Sequence, residues 1–481
     1  MLSINYKLSR NILIVMLCAS IIRYYTEIGS ALSVNSLNLT VYSAFIAFFL
    51  MIITKEDNDT MRGNYLKVYF VFCIGFIIVH FFSYWSYCLG LIPTPVSLGL
   101  YSPQIVNESA ILSLCSLLCF AIGYVSNQKA SMETYGSISQ KFNIPLTNRT
   151  LDYTFIISLF IFYTFTDKRY FQTGGNYEIT NGEGLSLISS LSQFFVMSAQ
   201  VACGVHRICK MESTSIKNYV FSYSIIYYLS VVIYGALVMS SGDRGPLMYM
   251  AFGYCAPFFI INRKRFGIKY LVVALVVGSQ LLMFLGILRN LEGEITMAKM
   301  EATSQQLNDG MQEEGAWLFE PTMALSNVVR AYNVVYEFSN SNGIVYGLGY
   351  MDGFLGFIPG LRTYVVYPLI GVENNNLVTT GYLSTILLDS DHGMGTTPVA
   401  DTYFNFGFAG CLLVFLIFGY ICKHFDRILY FKTGGLFLYI MAFWFLVYSV
   451  YIGRATFFAP ITLSIYTWVL MKFVLFVSKK E

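Results

Sequence analysis

The chain has 481 residues, of which 56% are hydrophobic and 12% charged, and its mean hydropathy is +0.59. A soluble domain carries roughly 25% charged residues, so the composition excludes a soluble globular protein and points to a polytopic membrane protein. The net charge of +3 says little by itself; the placement of the charges says more.

Apolar runs fall at about 11–30, 37–54, 66–90, 108–127, 151–166, 184–205, 218–240, 246–262, 268–288, 399–421, 434–452 and 457–477. Most are near the length that crosses a hydrocarbon core of about 30 Å, which predicts twelve spans. The first run has no small-residue cleavage site after it and holds Arg23, so it reads as a retained helix. Arg23 is expected to pair with Glu27 one helical turn on. Most of the ten cysteines lie inside apolar runs, where they act as small packing residues. Cys115 and Cys119 share a helix face with no His or carboxylate at ligand spacing, so neither a metal site nor a disulfide framework is expected.

An even number of spans puts both termini on one side. With the termini cytoplasmic, about 21 of the 30 Lys and Arg fall on the inner side, and Asn262-Arg263-Lys264-Arg265 is the firmest anchor. The outer segments hold Lys168, Arg169, Arg244, Arg289, Lys299, Arg330, Arg362 and Arg454. Lys dominates inside and Arg outside. A planar guanidinium binds phosphate or carboxylate through two parallel, coplanar hydrogen bonds, a geometry an ammonium does not offer.

The order of runs divides the chain into a nine-helix region (1–288), a large extracytoplasmic segment (289–398) and a three-helix region (399–481). Within the large segment, residues 320–338 carry apolar side chains at helical spacing and predict an amphipathic helix lying at the membrane interface. Residues 344–360 are apolar, Gly-rich and too short to cross comfortably, so they read as a re-entrant segment. A loop this long inside a compact protein usually carries function.

Two outer hinges share a design. In Gly242-Asp243-Arg244-Gly245-Pro246 the proline can open the eighth span. In Asp391-His392-Gly393-Met394-Gly395-Thr396-Thr397-Pro398, Thr397 can cap and Pro398 can start the tenth. Both present a helix N-terminus, which favours an anion. Arg289 leaves the ninth span as either an anion ligand or a snorkelling interface residue. Arg330 and Arg362 are either substrate ligands or lipid-headgroup contacts. His392 reads as a general base, a phosphate ligand or a capping residue. Outer carboxylates are plentiful, among them Asp243, Glu320, Asp352, Glu373, Asp389, Asp391 and Asp401; one of them could activate a hydroxyl, and the sequence does not choose among them. No phosphate loop or Gly-rich nucleotide fingerprint is present, and no nucleic-acid partner is expected. An enzyme acting on the outer face needs a substrate already activated, such as a lipid-linked diphosphate.

Ser241-Gly-Asp-Arg244-Gly at a helix start, Arg289 at a helix exit, Tyr346-Gly-Leu-Gly-Tyr350 leading to Phe357-Ile-Pro359, and Gly393-Met-Gly-Thr-Thr-Pro398-Val-Ala-Asp401-Thr-Tyr403-Phe-Asn405-Phe-Gly407 together resemble the bacterial O-antigen polysaccharide polymerases, also called oligosaccharide repeat-unit polymerases. The resemblance covers about 235–425 in motif and the remainder in span pattern. It implies an all-α polytopic fold similar to the membrane glycosyltransferases (GT-C-like). The implied reaction joins undecaprenyl-diphosphate-linked repeat units at the outer face of the bacterial cytoplasmic membrane, without metal or cofactor. The implied partners are lipid-linked donor and acceptor, the bilayer, a chain-length regulator and a flippase. Arg244 and Arg289 would clamp the donor diphosphate, and Asp243, Asp391 and His392 would be candidates for the acceptor base. Gly245, Arg330, Arg362, Tyr350, Gly393, Gly395, Thr396 and Thr397 would bind substrate. Two alternatives share the topology: an O-antigen ligase, and a lipid-linked oligosaccharide flippase or other transporter. A transporter should show repeats and charges along a midplane path, whereas here the arginines gather at one face.

Overall fold

The computed structural model describes residues 4–55, 63–95, 100–126, 146–171, 187–211, 213–241, 245–289, 325–358, 360–371, 379–390, 393–431 and 435–478, and of 290–324 only residues 302 and 305. The described residues are helical, with an isolated bridge between Ile4 and Thr54. The main helices are α1 (Tyr6–Thr26), α2 (Val34–Ile53), α3 (Val68–Cys88), α4 (Pro103–Ser126), α5 (Asn148–Phe165), α6 (Leu187–Lys210), α7 (Ile216–Phe221) and α8 (Ile225–Ser241). They continue as α9 (Gly245–Ile261), α10 (Ile268–Arg289), α11 (Val329–Asn342), α12 (Leu348–Leu355), α13 (Thr380–Leu387), α14 (Pro398–Phe431), α15 (Leu436–Ile452) and α16 (Ala459–Ser478). Seven of the described helices, α1 to α4, α6, α14 and α16, are long and apolar enough to cross a membrane. The chain is therefore an all-helical, multi-pass membrane protein. Helices α8, α9 and α15 and the first half of α10 are apolar but shorter.

Two compact units interleave in the sequence: Met1–Ser131 with Asn308–His424 and Ser449–Phe457, and Met132–Leu307 with Phe425–Tyr448 and Phe458–Glu481. In the first unit, α4 is the buried axis, packed by α1, α2, α3 and α11. Helix α2 shows how the sequence divides its faces. Leu37, Val41, Ala44 and Met51 are buried, while Leu39, Tyr42, Ile46 and Phe49 form an exposed apolar stripe. An apolar stripe at that spacing is the face a spanning helix turns to lipid. Ser33 caps α2 by accepting from the Ser36 N–H. The expected Arg23–Glu27 pair is present at 3.0 Å, and Arg23 also donates to Ser36 and Thr40 of α2. Helices α4 and α14 cross at glycines: a Cβ on Gly123 or Gly419 would overlap the opposing backbone carbonyl. Small residues at such crossings let two spans approach to van der Waals contact.

Of the amphipathic segment expected at 320–338, residues 320–324 lie outside the described residues, and from Val329 on it is α11, whose Val329 and Ala331 to Tyr336 are buried within the protein. Tyr332 donates to the Ser109 carbonyl at 2.8 Å, Asn333 meets the Ser109 hydroxyl at 2.6 Å, and Tyr336 donates to Glu108 at 3.0 Å. Tyr332, Asn333 and Tyr336 face hydrogen-bonding groups on α4 rather than water, while Asn340, Ser341 and Asn342 at the end of the helix are exposed. Glu108 is in turn held by the Gly29 N–H, at 2.7 Å.

In the second unit, α6 packs against α5, α9 and α16. The Arg207 side chain is fully buried. Its Nη2 donates to both oxygens of Asp152 (2.9 and 3.1 Å), its Nη1 to the Cys203 carbonyl and its Nε to the Ser222 hydroxyl. The Tyr223 ring stacks 3.5 Å from the guanidinium carbon, and the Ser224 N–H completes the Asp152 shell. Counted from sequence as a topology anchor, Arg207 is the centre of a closed internal network that joins α5 to α6.

Candidate functional site

The first unit concentrates polar side chains around the start of α14. Thr397 accepts the Ala400 N–H at 3.0 Å and Pro398 is the first helical residue, as the sequence predicts. Two turns later the helix breaks at Gly407 (φ 66°, ψ −162°), a conformation that glycine adopts without strain. The break frees the carbonyls of Phe404 and Asn405, and the N–H groups of Val345 and Gly347 take them at 2.9 and 3.1 Å. The Asn405 side chain accepts from Gly349 N–H at 2.8 Å, and the Tyr350 hydroxyl shares a 2.7 Å hydrogen bond with Thr402. Burial raises the Tyr350 pKa and keeps its phenol neutral. The Tyr346–Tyr350 and Gly393–Gly407 motifs are thus one assembly, docked through the gap in α14.

The Gly393–Thr397 turn lies between α13 and α14. The Gly395 carbonyl accepts from Ser384 at 2.8 Å, and the Thr385 hydroxyl accepts the Met394 N–H at 3.1 Å. Gly395 has φ 75°, and a side chain there would approach Arg454, whose Nη2 would lie 3.9 Å from its Cβ. Thr396 donates to Thr380 at 2.7 Å, and Thr380 donates to Asp401 Oδ1 at 3.3 Å. Gly393 stands in open space.

Ionic pairing sorts the arginines. Arg362 donates to Asp352 at 2.9 Å, and Tyr367 donates to the other Asp352 oxygen at 2.7 Å. Burial, then the bonded carboxylate, push the Tyr367 pKa up, while the Arg362 side chain stays 39% exposed. Arg169 pairs with Asp167 on the surface, and the bonded guanidinium holds the Asp167 carboxyl below its usual range. Arg454 and Arg330, by contrast, make no side-chain ion pair or hydrogen bond among the described residues. The Arg330 Nε is buried at the start of α11 without a partner. Arg454 is half-buried, with its guanidinium 5.8 Å from the Tyr451 ring centre. A buried guanidinium nitrogen without a counter-ion, as at Arg330, is costly unless an anion completes it.

Arg244, Asp243, Asp391 and His392 lie outside the described residues. Arg289 ends α10, and its side chain is likewise outside the description. Gly245 is buried at the first turn of α9, in the second unit. The structure brings together Tyr350, Gly393, Gly395, Thr396 and Thr397, all in the first unit, and adds Thr380, Ser384, Asp401 and Arg454. Of these additions, Asp401 was one of several carboxylates and Arg454 one of several outer arginines in the sequence. Thr380 and Ser384 carry no signal there, because their role depends on α13 folding back against the 393–397 turn.

No family model, curated protein or solved structure matches the chain.

Proposed function

We propose that this chain is a membrane glycosyltransferase that polymerises undecaprenyl-diphosphate-linked repeat units into a surface polysaccharide, O antigen or capsule, at the outer face of a bacterial cytoplasmic membrane. In this reading all twelve apolar runs span, both termini are cytoplasmic, and no metal or cofactor takes part. The observation that carries it is Arg454: a guanidinium without a counter-ion, beside the Gly393–Thr397 turn at the start of a long apolar helix. Such a group suits a diphosphate presented from the bilayer, since two hydrogen bonds from a planar fork match a phosphate edge. Arg330 is a second cation without a counter-ion. The sequence resemblance separately proposes Arg244 and Arg289 as ligands of the donor diphosphate. The reaction gains rate where negative charge develops on the departing diphosphate.

Gel banding of surface polysaccharide from a deletion strain tests this reading. Loss of the chain should leave lipid core capped with a single repeat unit, and Arg244→Ala or Arg244→Lys should fail to restore the ladder while the protein remains in the membrane. Uncapped core with accumulated lipid-linked polymer would identify a ligase instead. Repeat units trapped on the cytoplasmic side would identify a flippase.

A further inference from the structure

Asp401 stands in the first turn of α14 and is 3% exposed. Its Oδ1 receives Thr380 at 3.3 Å and the Asn405 amide at 3.5 Å. Its Oδ2 is buried, and no donor reaches it among the described residues. Of the other described carboxylates of this region, Asp389 is exposed at the end of α13, and Asp352 and Glu337 are engaged. Asp352 holds Arg362 on one oxygen and Tyr367 on the other, and Glu337 accepts the Ser102 N–H. A buried carboxylate oxygen without a donor costs free energy that folding does not recover, so its retention calls for a ligand that donates a hydrogen bond. Hydroxyl-bearing side chains adjoin it. Thr396, Thr380 and Asp401 form a chain of side chains on one flank of the turn, and the unpaired Arg454 guanidinium lies against Gly395, the neighbour of Thr396.

We propose that Asp401 Oδ2 accepts the proton of the acceptor-sugar hydroxyl and is the general base of the transfer reaction. The inference rests on the glycosyltransferase reading above. In the step, the acceptor O–H proton passes to Asp401. The acceptor oxygen lone pair forms the new bond to the donor anomeric carbon. The bond from that carbon to the diphosphate breaks, and its electron pair leaves on the diphosphate, facing arginine. The protonated Asp401 then returns its proton to solvent. Thr380 and Thr396 are positioning residues, since they fix the carboxylate through Oδ1 and leave Oδ2 to the substrate.

The test uses the full chain in detergent with the lipid-linked repeat unit extracted from the deletion strain. Asp401→Asn keeps the shape and should lower kcat on the order of a hundredfold or more, with KM for the lipid-linked unit unchanged within about twofold. The wild-type rate should rise with pH through a carboxyl titration, and Asp401→Asn should abolish that limb. Asp401→Glu should restore part of the rate with the limb displaced. Turnover of Asp401→Asn near wild type, or an unaltered pH limb, would overturn the assignment. Where Asp401→Asn does not accumulate, Thr380→Val and Asp401→Glu decide: an unchanged limb in both overturns the proposal, and a displaced limb supports it. A wild-type chain that makes no polymer from this unit refutes the transfer reading itself, a result distinct from an active wild type with an active Asp401→Asn.

Discussion

Asp152→Asn should lower the stability of the protein by about 3–5 kcal/mol, the cost of leaving one member of a buried ion pair without its partner. Arg207 has no exposure through which to recover solvation, and its Nη2 divides its bonds between the two Asp152 oxygens and the Ser222 carbonyl. Removal of the carboxylate charge leaves a cation whose remaining partners are carbonyls, a hydroxyl and the Tyr223 face. Arg207→Met should cost a similar amount, because it strands Asp152 instead. The double variant Asp152→Leu/Arg207→Met should lie closer to wild type than either single change, since no charge is then buried. Thermal unfolding in detergent, followed by monodisperse recovery on size exclusion, gives the comparison. Single variants that melt with the wild type would mean the pair is not buried as described.

The second large effect concerns Arg454. Arg454→Ala should reduce polymerisation on the order of a hundredfold, comparable to removal of one donor from a site that stabilises developing charge. Arg454→Lys should recover little, since an ammonium cannot offer two parallel hydrogen bonds. Gly395→Ala should also impair the reaction, because it places a Cβ at φ 75° beside the Arg454 side chain. The measurement is chain-length distribution in complemented deletion cells, normalised to protein in the membrane. Full-length ladders from Arg454→Ala would remove the observation on which the functional reading rests.

Much of the helical framework is legible in the sequence because hydropathy alone drives it. Eleven of the twelve apolar runs fall on one helix each, the run at 218–240 is divided between α7 and α8, and seven of the helices have the length and apolarity to span. The ends are less legible. Helix α4 begins at Pro103 rather than near 108, because Gln104, Asn107 and Glu108 look like a loop. Asn107 and Glu108 are instead buried and bonded to the Ala31 carbonyl and the Gly29 N–H. Helix α14 runs on to Phe431 through Lys423 and Asp426, past the point where apolar periodicity stops. The Thr397–Pro398 helix start was readable because capping is local chemistry. The special standing of Asp401 was not, since an oxygen without a donor is a property of what α13 and the 393–397 turn bring around it. Arg454 and Arg362 look alike as outer arginines. Only the fold gives Arg362 a carboxylate and leaves Arg454 without one among the described residues.

Incubation of the purified chain with lipid-linked repeat units in the presence of EDTA separates a metal-independent polymerase from the alternatives. A ladder of lipid-linked oligomers should grow by one repeat unit per step, with release of undecaprenyl diphosphate and no loss of rate from chelation. Repeat units that remain single, or a ladder that appears only when a divalent metal is restored, would contradict a metal-independent polymerase.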